Sequence, residues 1–245
     1  GGMNLRRSHL VAAEQFHREQ DVQFKLEGPV VEHLMDTFAD DWAFTTREVL
    51  KGPEWFPRPG PVGPVQARGI PSDPAETHEV ARMVIVAALG AARSSVRLVT
   101  PYFLPDAAIT AALNVAALRG VKVDIFLPQV NDNPAVQWAS TAMLWQVLMS
   151  GCRVLTTPPP FDHAKLLVVD DAWLFMGSAN LDPRSLRLNF EFNVECYDPA
   201  LAGRVAGLID ARRKGALEVT LKDVDGRPLG VKLRDGVARL FSPYL

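Results

Sequence analysis

The chain has 245 residues, 48% hydrophobic and 22% charged, which is enough to bury the core of one large domain or two smaller ones. Its formal net charge of -2 and isoelectric point near 6.2 exclude a general electrostatic attraction to nucleic acid or anionic lipid and leave room only for local basic patches. Its two cysteines, Cys152 and Cys196, stand in no metal-ligand spacing, so neither a disulfide framework nor a zinc site is expected.

The apolar segments are too short to span a membrane. The longest run, near Met83 to Ala92, is far below the ~20 residues that a bilayer requires, and no signal-type apolar core opens the chain. The given chain is therefore not expected to span a membrane, and its low cysteine count favours a cytoplasmic-facing chain.

Residues 1–74 are predicted to hold one helix and a linker. Within VVEHLMDTFADDWAF, apolar side chains recur at helical spacing and are expected to face the core: Val30, Leu34, Phe38 and Trp42. Residues 51–74 are so rich in proline and glycine that neither a helix nor a central strand should persist, which indicates an ordered linker or a surface crossing.

Residues 75–215 alternate between helical and strand patterns, which predicts a layered α/β sheet. The predicted helices lie at 75–93, 106–119 and 134–150, and the predicted strands at 96–100, 121–127, 152–156, 164–169, 173–177 and 190–197. A last long helix begins after Asp198 and Pro199, both favoured at helix starts. The tail, 216–245, is predicted to form short strands and a turn.

The stretch HAKLLVVDDAWLFMGSAN carries the chemistry. On a strand, His163 and Lys165 are two residues apart and project from one face, so an imidazole lies beside an ammonium. Such a pair suits a phosphate, because Lys165 neutralises its oxygens while His163 acts as a nucleophile or as a proton donor.

An antiparallel turn within this stretch would bring Gly177, Ser178 and Asn180 alongside the same phosphate. The hydroxyl of Ser178 and the amide of Asn180 are then hydrogen-bond donors, and Gly177 permits a close approach. Along the strand, the Asp170 side chain is predicted to face away from His163 and Lys165, because side chains alternate between the two faces. Asp170 is therefore expected to have a structural role at the turn. Glu191, on the next strand, is the candidate to hold the second ring nitrogen of the histidine.

The full pattern is His-x-Lys, four residues, Asp, six residues and Gly-Ser-x-Asn, which is far more specific than a lone His-x-Lys. It resembles the phospholipase D superfamily, and within it the bacterial cardiolipin synthases. The segments TPYFLPD, AALRGVKVDIFLP and LDPRSLRLNFEFNVECYD are similar to those around the motif in these enzymes, and the resemblance runs from residue 1 to the terminal FSPYL.

The resemblance implies a fold and a reaction. The fold is a phospholipase D-like layered mixed sheet flanked by helices, built as two pseudo-twofold halves whose two motif histidines meet at one phosphate. One histidine forms a phosphohistidine and the other protonates the leaving alcohol, without metal or other cofactor. Cardiolipin synthases move a phosphatidyl group between phospholipids, typically phosphatidylglycerol, and water as the acceptor gives phospholipase D activity instead.

The resemblance also assigns roles near the start of the chain. Gly1, Gly2 and Asn4 fit the last positions of a first motif, and Asp21 stands where a carboxylate orients the first histidine. We therefore expect a C-terminal piece of a longer enzyme of the bacterial inner membrane, working at its cytoplasmic face and essentially inactive alone. A homodimer that joins two copies of His163 is the alternative.

The expected organisation has three parts: 1–74 is the remainder of the first half with a linker, 75–215 is the second half, and 216–245 is the tail. The histidine of the first motif is not in this sequence. The resemblance implies that this histidine is the nucleophile and that His163 is the general acid and base. The other histidines stand in no His-x-Lys pattern and are expected to be surface or structural residues: His9, His17, His33 and His78.

Other residues are weaker candidates. Tyr102 and Phe103 follow a strand and are candidates to line the lipid site. Arg184 and Arg187 are candidates for a second phosphate, with solvated surface nearly as well favoured. The terminal RLFSPYL is interpreted as a docked end, with contact to a bilayer interface as the alternative.

The expected partners are phospholipids such as phosphatidylglycerol and a membrane surface, and nucleic acid is not expected. Two alternatives stay open: a nuclease or other phosphodiesterase of the same superfamily, and a noncatalytic remnant.

Overall fold

The computed structural model describes residues 1–4, 18–74, 77 and 79–245. Its helices are α1 (Val30–Thr46), α2 (Val80–Ala91), α3 (Ala107–Leu118), α4 (Pro134–Leu148), α5 (Pro183–Arg187), α6 (Pro199–Ala211), α7 (Leu221–Asp225) and α8 (Leu229–Leu240), followed by a 3₁₀ turn at Ser242–Tyr244. Its strands are β1 (Glu19–Gln20), β2 (Gln66–Ser72), β3 (Ser95–Val99), β4 (Lys122–Pro128), β5 (Arg153–Thr157), β6 (Phe161–Asp162), β7 (Leu166–Val169), β8 (Trp173–Gly177), β9 (Glu191–Tyr197) and β10 (Leu217–Val219).

The predicted alternation of helices and strands is confirmed, and local chemistry explains its boundaries. Asp106, Asn133 and Asp198 begin α3, α4 and α6 by accepting hydrogen bonds from backbone N–H groups two or three residues further on. Gly120 and Gly151 follow α3 and α4 with φ of 89° and 93°, a conformation that glycine adopts without a steric penalty.

The main sheet has eight strands in the order β10-β5-β4-β3-β7-β8-β9-β2. Strands β3, β4 and β5 are parallel, whereas β7, β8 and β9 form an antiparallel meander that joins the sheet through β3. This mixed sheet is flanked by helices on both faces, as expected for the fold class.

The two faces of the sheet bury two separate clusters because side chains alternate along each strand. Leu167 and Val169 of β7 face the cluster that helices α2, α3 and α4 cover. Leu166 and Val168 face the opposite cluster, which helix α6 covers.

The carboxyl ends of β3, β4 and β5 define one edge of the sheet. The chain leaves β3 towards Tyr102, β4 towards Asp132 and β5 towards Phe161, and the ring of Tyr102 lies 6.4 Å from that of Phe161. In open α/β sheets this edge is where ligands bind. Short strand β1 pairs in parallel with β6 beside this edge and so brings in a segment from near the start of the chain.

The predicted linker contains a strand. Residues 66–72 form β2, antiparallel to β9, although their proline content argued for a linker. Pro71 is tolerated because β2 lies at the edge of the sheet, where a missing N–H costs no bond to a second neighbour.

The stripe on α1 is only partly core. Val30 is buried as predicted, but Phe38 and Trp42 are exposed and stack on each other with ring centroids 5.9 Å apart. The helix packs on the edge strand β2, which offers too little surface to cover the whole stripe.

The prediction of short strands in the tail is confirmed for β10 (Leu217–Val219) and wrong beyond it. After β10 the chain forms α7, which begins with a capping box between Thr220 and Asp223, and then the twelve-residue α8. None of the described helices is both long and apolar enough to cross a bilayer.

Of the four other histidines, His33 is described, and His9, His17 and His78 lie outside the described residues. His33 is exposed, and its Nδ1 accepts a hydrogen bond of 3.0 Å from the backbone N–H of Gly69. The prediction of a surface or structural role is confirmed for His33.

Candidate active site

Strand pairing places His163 opposite Asp21. The register of β1 with β6 matches Gln20 to Asp162, so Asp21 and His163 are the next residues in line. The backbone N–H of His163 donates to the Gln20 carbonyl at 2.8 Å, and its Nδ1 lies 3.1 Å from Oδ2 of Asp21. His163 itself lies between β6 and β7, not within a strand as the sequence suggested.

The Asp21 carboxylate is buried and held ionised. Burial raises its pKa, but the hydrogen bonds from His163 and from the N–H of Val22 outweigh burial, aided by the charge of Lys165. The net pKa of Asp21 is therefore below its usual value. The resemblance had implied that Asp21 orients the histidine of the first motif. In the structure Asp21 contacts His163, because the parallel pairing of β1 with β6 places the two residues side by side.

Lys165 is buried next to the same carboxylate. Its Nζ donates to the backbone carbonyl of His163 at 2.6 Å. Burial lowers its pKa to about 8, against the opposing attraction of Asp21 and Glu191. A buried ammonium whose pKa lies near neutral pH is well suited to bind a phosphate oxygen.

Gly2 lies against both groups. A Cβ atom at Gly2 would lie 2.9 Å from Nζ of Lys165 and 3.0 Å from Oδ2 of Asp21, so a larger residue would have to displace these two charged groups. The predicted contact of Gly2 with phosphate stays a prediction. Asn4 is exposed, and its predicted contact with phosphate stays a prediction.

The segment that carries His163 is also anchored from α6. Arg212 forms a buried ion pair with Asp162, with Nε 2.5 Å from Oδ2, and Asp162 also accepts from the N–H of Ala164 at 3.1 Å. Arg212 thereby fixes the backbone on either side of His163.

Gly177 and Ser178 face the next strand in the structure. A Cβ at Gly177 would lie 2.5 Å from Cα of Asn193 and from the carbonyl oxygen of Phe192, so this close approach is to β9. The Ser178 hydroxyl accepts from the N–H of Phe192 at 3.0 Å and donates to its carbonyl at 3.4 Å. The hydroxyl predicted as a phosphate donor is therefore engaged with the sheet, since β9 runs directly beside it.

Asn180 is held by a carboxylate that the sequence analysis overlooked. Asp182 is buried, caps α5 by accepting from the N–H of Ser185 at 2.7 Å, and receives a hydrogen bond from the Asn180 side chain. Burial raises the pKa of Asp182 to about 6, and the nearby charge of Glu191 adds to the increase. Oδ1 of Asn180 is buried without a hydrogen-bond partner and can accept from a ligand hydroxyl, whereas a phosphate oxygen would need the second N–H of its Nδ2.

Glu191 lies within electrostatic range of Lys165 and Asp182. Its Oε1 accepts from Nδ2 of Asn189 at 3.1 Å. The predicted hydrogen bond from Glu191 to His163 stays a prediction. In the structure the carboxylate that contacts Nδ1 of His163 is that of Asp21.

Asp170 has the structural role that its parity indicated. It follows β7 at φ 54° and accepts from the N–H groups of Arg93, Ser94 and Ser95 at 2.7–2.9 Å. Burial raises its pKa, but these hydrogen bonds prevail and hold the pKa below the usual value. The carboxylate ties the β7–β8 turn to the start of β3, at the end of β7 opposite Lys165.

The two aromatic candidates have different positions. The Tyr102 hydroxyl donates to Oδ1 of Asp132 at 2.7 Å, and its ring approaches Phe161, which lies 6.0 Å from the His163 ring. Phe103 is 1% exposed, pairs with Leu181 and belongs to the core, so its assignment to the lipid site is wrong. Phe161 is the aromatic neighbour that sequence analysis missed, because its position depends on the β1–β6 pairing.

Arg184 and Arg187 lie on exposed positions of α5. Arg187 is 3.9 Å from Glu79, and both cations stand just beyond Asp182. Their contact with a second phosphate stays a prediction.

Curated proteins resemble this chain over its whole length. The family model described as "Cardiolipin synthase, PLD-like domain" matches residues 85–212. A cardiolipin synthase A of Pseudomonas entomophila is 35% identical over 100% of this chain and 51% of that protein, and the major cardiolipin synthase of Bacillus subtilis is 32% identical with the same coverage. The chain thus spans about half the length of the curated relatives it matches.

Solved structures share the fold. A phosphatidylserine synthase of Haemophilus influenzae aligns with a TM-score of 0.59 and 18% identity, over 74% of this chain and 48% of that one. Nuc of Salmonella typhimurium, a phospholipase D family member, aligns with a TM-score of 0.54 and 22% identity, over 64% of this chain and 99% of that one. With the complete motif at His163, the family match over more than half of the residues shows that the chain belongs to the phospholipase D-like domains of the cardiolipin synthase family.

Proposed function

We propose that the chain takes part in phosphatidyl transfer between phospholipids, forming cardiolipin from phosphatidylglycerol through a phosphohistidine intermediate. The observation that carries the proposal is the grouping of His163, Lys165 and the ionised Asp21 at the ligand-binding edge of the sheet. The names of the curated relatives support the choice of lipid substrate.

His163 is proposed to transfer the protons. Asp21 holds the proton of the neutral ring on Nδ1 and thereby directs Nε2 to the reacting phosphate. His163 begins the first step as an imidazolium, with a proton on each ring nitrogen. When the nucleophilic histidine attacks phosphorus, the bond to the first glycerol oxygen breaks, that oxygen takes the Nε2 proton, and His163 becomes the neutral ring with its lone pair on Nε2. In the second step His163 removes a proton from the incoming hydroxyl, whose oxygen attacks phosphorus and releases the nucleophilic histidine.

Lys165 and Asn180 are proposed to bind the phosphate oxygens. The Lys165 ammonium offsets negative charge that builds on phosphorus oxygens in the transition state. The nucleophilic histidine is proposed to belong to a second His-Lys-Asp motif, since His163 is the one histidine of this sequence in a His-x-Lys pattern. A chain without access to a second motif is then expected to be essentially inactive.

The test is cardiolipin formation from phosphatidylglycerol vesicles by the gene product that contains these residues. His163→Ala and Lys165→Ala should each lower the rate by at least about a hundredfold. His33→Ala, on the α1–β2 contact, is the matched control and should retain the rate. Full activity of His163→Ala would contradict the proposal, and phosphatidic acid as the sole product would assign hydrolysis in place of transfer.

A further inference from the structure

Helix α8 carries an apolar stripe that stays exposed in the part of the chain that the structure describes. Its members recur at helical spacing and span an arc of about 80° on the helix. They are Leu229 (73% exposed), Leu233 (61%), Val237 (55%) and Leu240 (77%), and the stripe continues into Phe241 and Tyr244 (80%) at the terminal turn.

The opposite face of α8 is fixed to the body of the protein. Ala238 packs against the buried cluster on α4, and the Arg234 guanidinium lies 4.3 Å from the centre of the Trp138 ring. Asp235 is 1% exposed and receives hydrogen bonds from Arg234 and Arg227. The stripe therefore points to solvent because the helix is held in one orientation.

The exposed charges beside the stripe are positive. Helix α8 has three basic residues and one acid, and the acid, Asp235, is turned inward and paired. Lys232 is exposed and Arg239 is partly exposed, and both lie along one side of the stripe. An apolar stripe bordered by cations is the pattern of a helix that lies in a membrane interface, and it suits anionic phospholipid.

The stripe is close to the catalytic edge, which is the edge of the sheet at the carboxyl ends of β3, β4 and β5, beside His163. Leu245, just beyond α8, packs on the same α4 cluster as Tyr102. From Tyr102 the contacts continue to Phe161 and then to His163, with ring distances of 6.4 and 6.0 Å. The terminal turn also packs on α5, directly after Asp182.

We propose that α8 and the terminal turn form a membrane-docking surface for a bilayer that contains anionic phospholipid. The stripe enters the interface, Lys232 and Arg239 contact lipid phosphates, and the catalytic edge is held next to the headgroups. The proposal deepens the proposed function, because it rests on a lipid substrate. Docking needs no turnover, so the two can fail separately.

The experiment is co-sedimentation of the full chain with phosphatidylcholine vesicles that contain, or lack, roughly a third of phosphatidylglycerol. Binding should require phosphatidylglycerol. The double substitution Leu233→Glu and Leu240→Glu should lower binding at least tenfold, whereas Leu118→Glu, an equally exposed leucine on α3, should leave it unchanged. Lys232→Gln and Arg239→Gln should each lower it roughly fivefold.

Hydrogen exchange on the unsubstituted chain provides a second measurement that does not depend on variants. Vesicles should slow exchange in residues 229–245 and leave α3 unaffected. Equal binding by the double variant, no binding to phosphatidylglycerol vesicles, or unchanged exchange in 229–245 would each overturn the proposal. A loss of self-association in the double variant, without vesicle binding, would overturn it in favour of a protein interface.

Discussion

The direction in which the His163 ring is held decides what this residue can do. The Asp21 carboxylate accepts a hydrogen bond from the Nδ1–H group of the ring, so the lone pair of the neutral imidazole lies on Nε2. The Arg212–Asp162 ion pair and the bond to Gln20 fix the backbone beneath the ring. A proton donor that must reach an ester oxygen needs this kind of fixed orientation.

Asp21→Asn should disturb the ring without emptying the site. The amide can donate as well as accept, so the preference for the Nδ1–H tautomer should be lost. We expect transfer to fall roughly a hundredfold or more, as when the carboxylate of a catalytic triad is made neutral. Long-range proton–nitrogen spectra of the His163 ring would report the tautomer directly.

Glu191→Gln is the matched control, since Glu191 is the carboxylate that the sequence favoured for this role. It should leave the His163 tautomer unchanged. A tautomer that responds to Glu191→Gln and ignores Asp21→Asn would reverse the assignment of the two carboxylates.

Lys165 should make phosphate binding depend on pH. Because burial lowers the pKa of Lys165 to about 8, the ammonium is present below this pH and is lost above it. Affinity for inorganic phosphate should therefore fall roughly tenfold between pH 7.5 and 9, in proportion to the protonated fraction. Calorimetric titration of the chain across this range would measure it.

Lys165→Gln should bind phosphate weakly at every pH in that range. Lys122→Gln, which removes an exposed lysine of β4, should keep the pH dependence of the unsubstituted chain. Affinity that stays constant to pH 9 in the unsubstituted chain would show that the Lys165 ammonium does not bind the phosphate.

At the scale of elements, Asp170 joins two parts of the sheet that the chain order separates. Its carboxylate bonds three consecutive N–H groups at the start of β3. Asp170→Asn should therefore destabilise the fold by about 2 kcal/mol, because a charge-assisted acceptor is lost. Urea unfolding at pH 7 would measure the change, and phosphate affinity at His163 should stay within about twofold.

Asp171→Asn is the control for this turn, since Asp171 is half exposed and pairs with Arg97; it should cost less than about 1 kcal/mol. The lowered pKa of Asp170 determines how its contribution to the free energy of unfolding changes with pH. Its contribution is complete above the unfolded pKa, near 4, and is lost as pH falls through the lower folded value. Equal losses for both variants would contradict the role of Asp170.

The elements themselves could be predicted where periodicity and caps agree. Strand β8 was predicted with its observed ends, because its apolar run is bounded by a polar turn and a glycine. Helix α8 was missed because Gly230 and Gly236 weigh against a helix and its apolar spacing lies on the exposed side, not on a core face. Strand β2 was missed because an edge position tolerates the proline that argued against it.

At the scale of the whole molecule, the site joins segments far apart in the chain. The sequence indicated His163, Lys165 and Asn180 through their motif spacing, and local parity gave Asp170 its role. The contact between Asp21 and His163 spans 142 positions and depends on a two-residue parallel pairing, for which no local pattern exists. Nor could spacing show that Asp182 is buried beside Asn180.

The central claim is that His163 transfers protons in a site completed by a second motif histidine. The most direct test is release of p-nitrophenolate from a phosphatidyl-p-nitrophenol ester by the gene product, because this leaving group departs without a proton. His163→Ala should release one equivalent in a burst, then stall, and form no cardiolipin. Absence of the burst, with the fold intact, would make His163 the nucleophile, and continued turnover would exclude it from both steps.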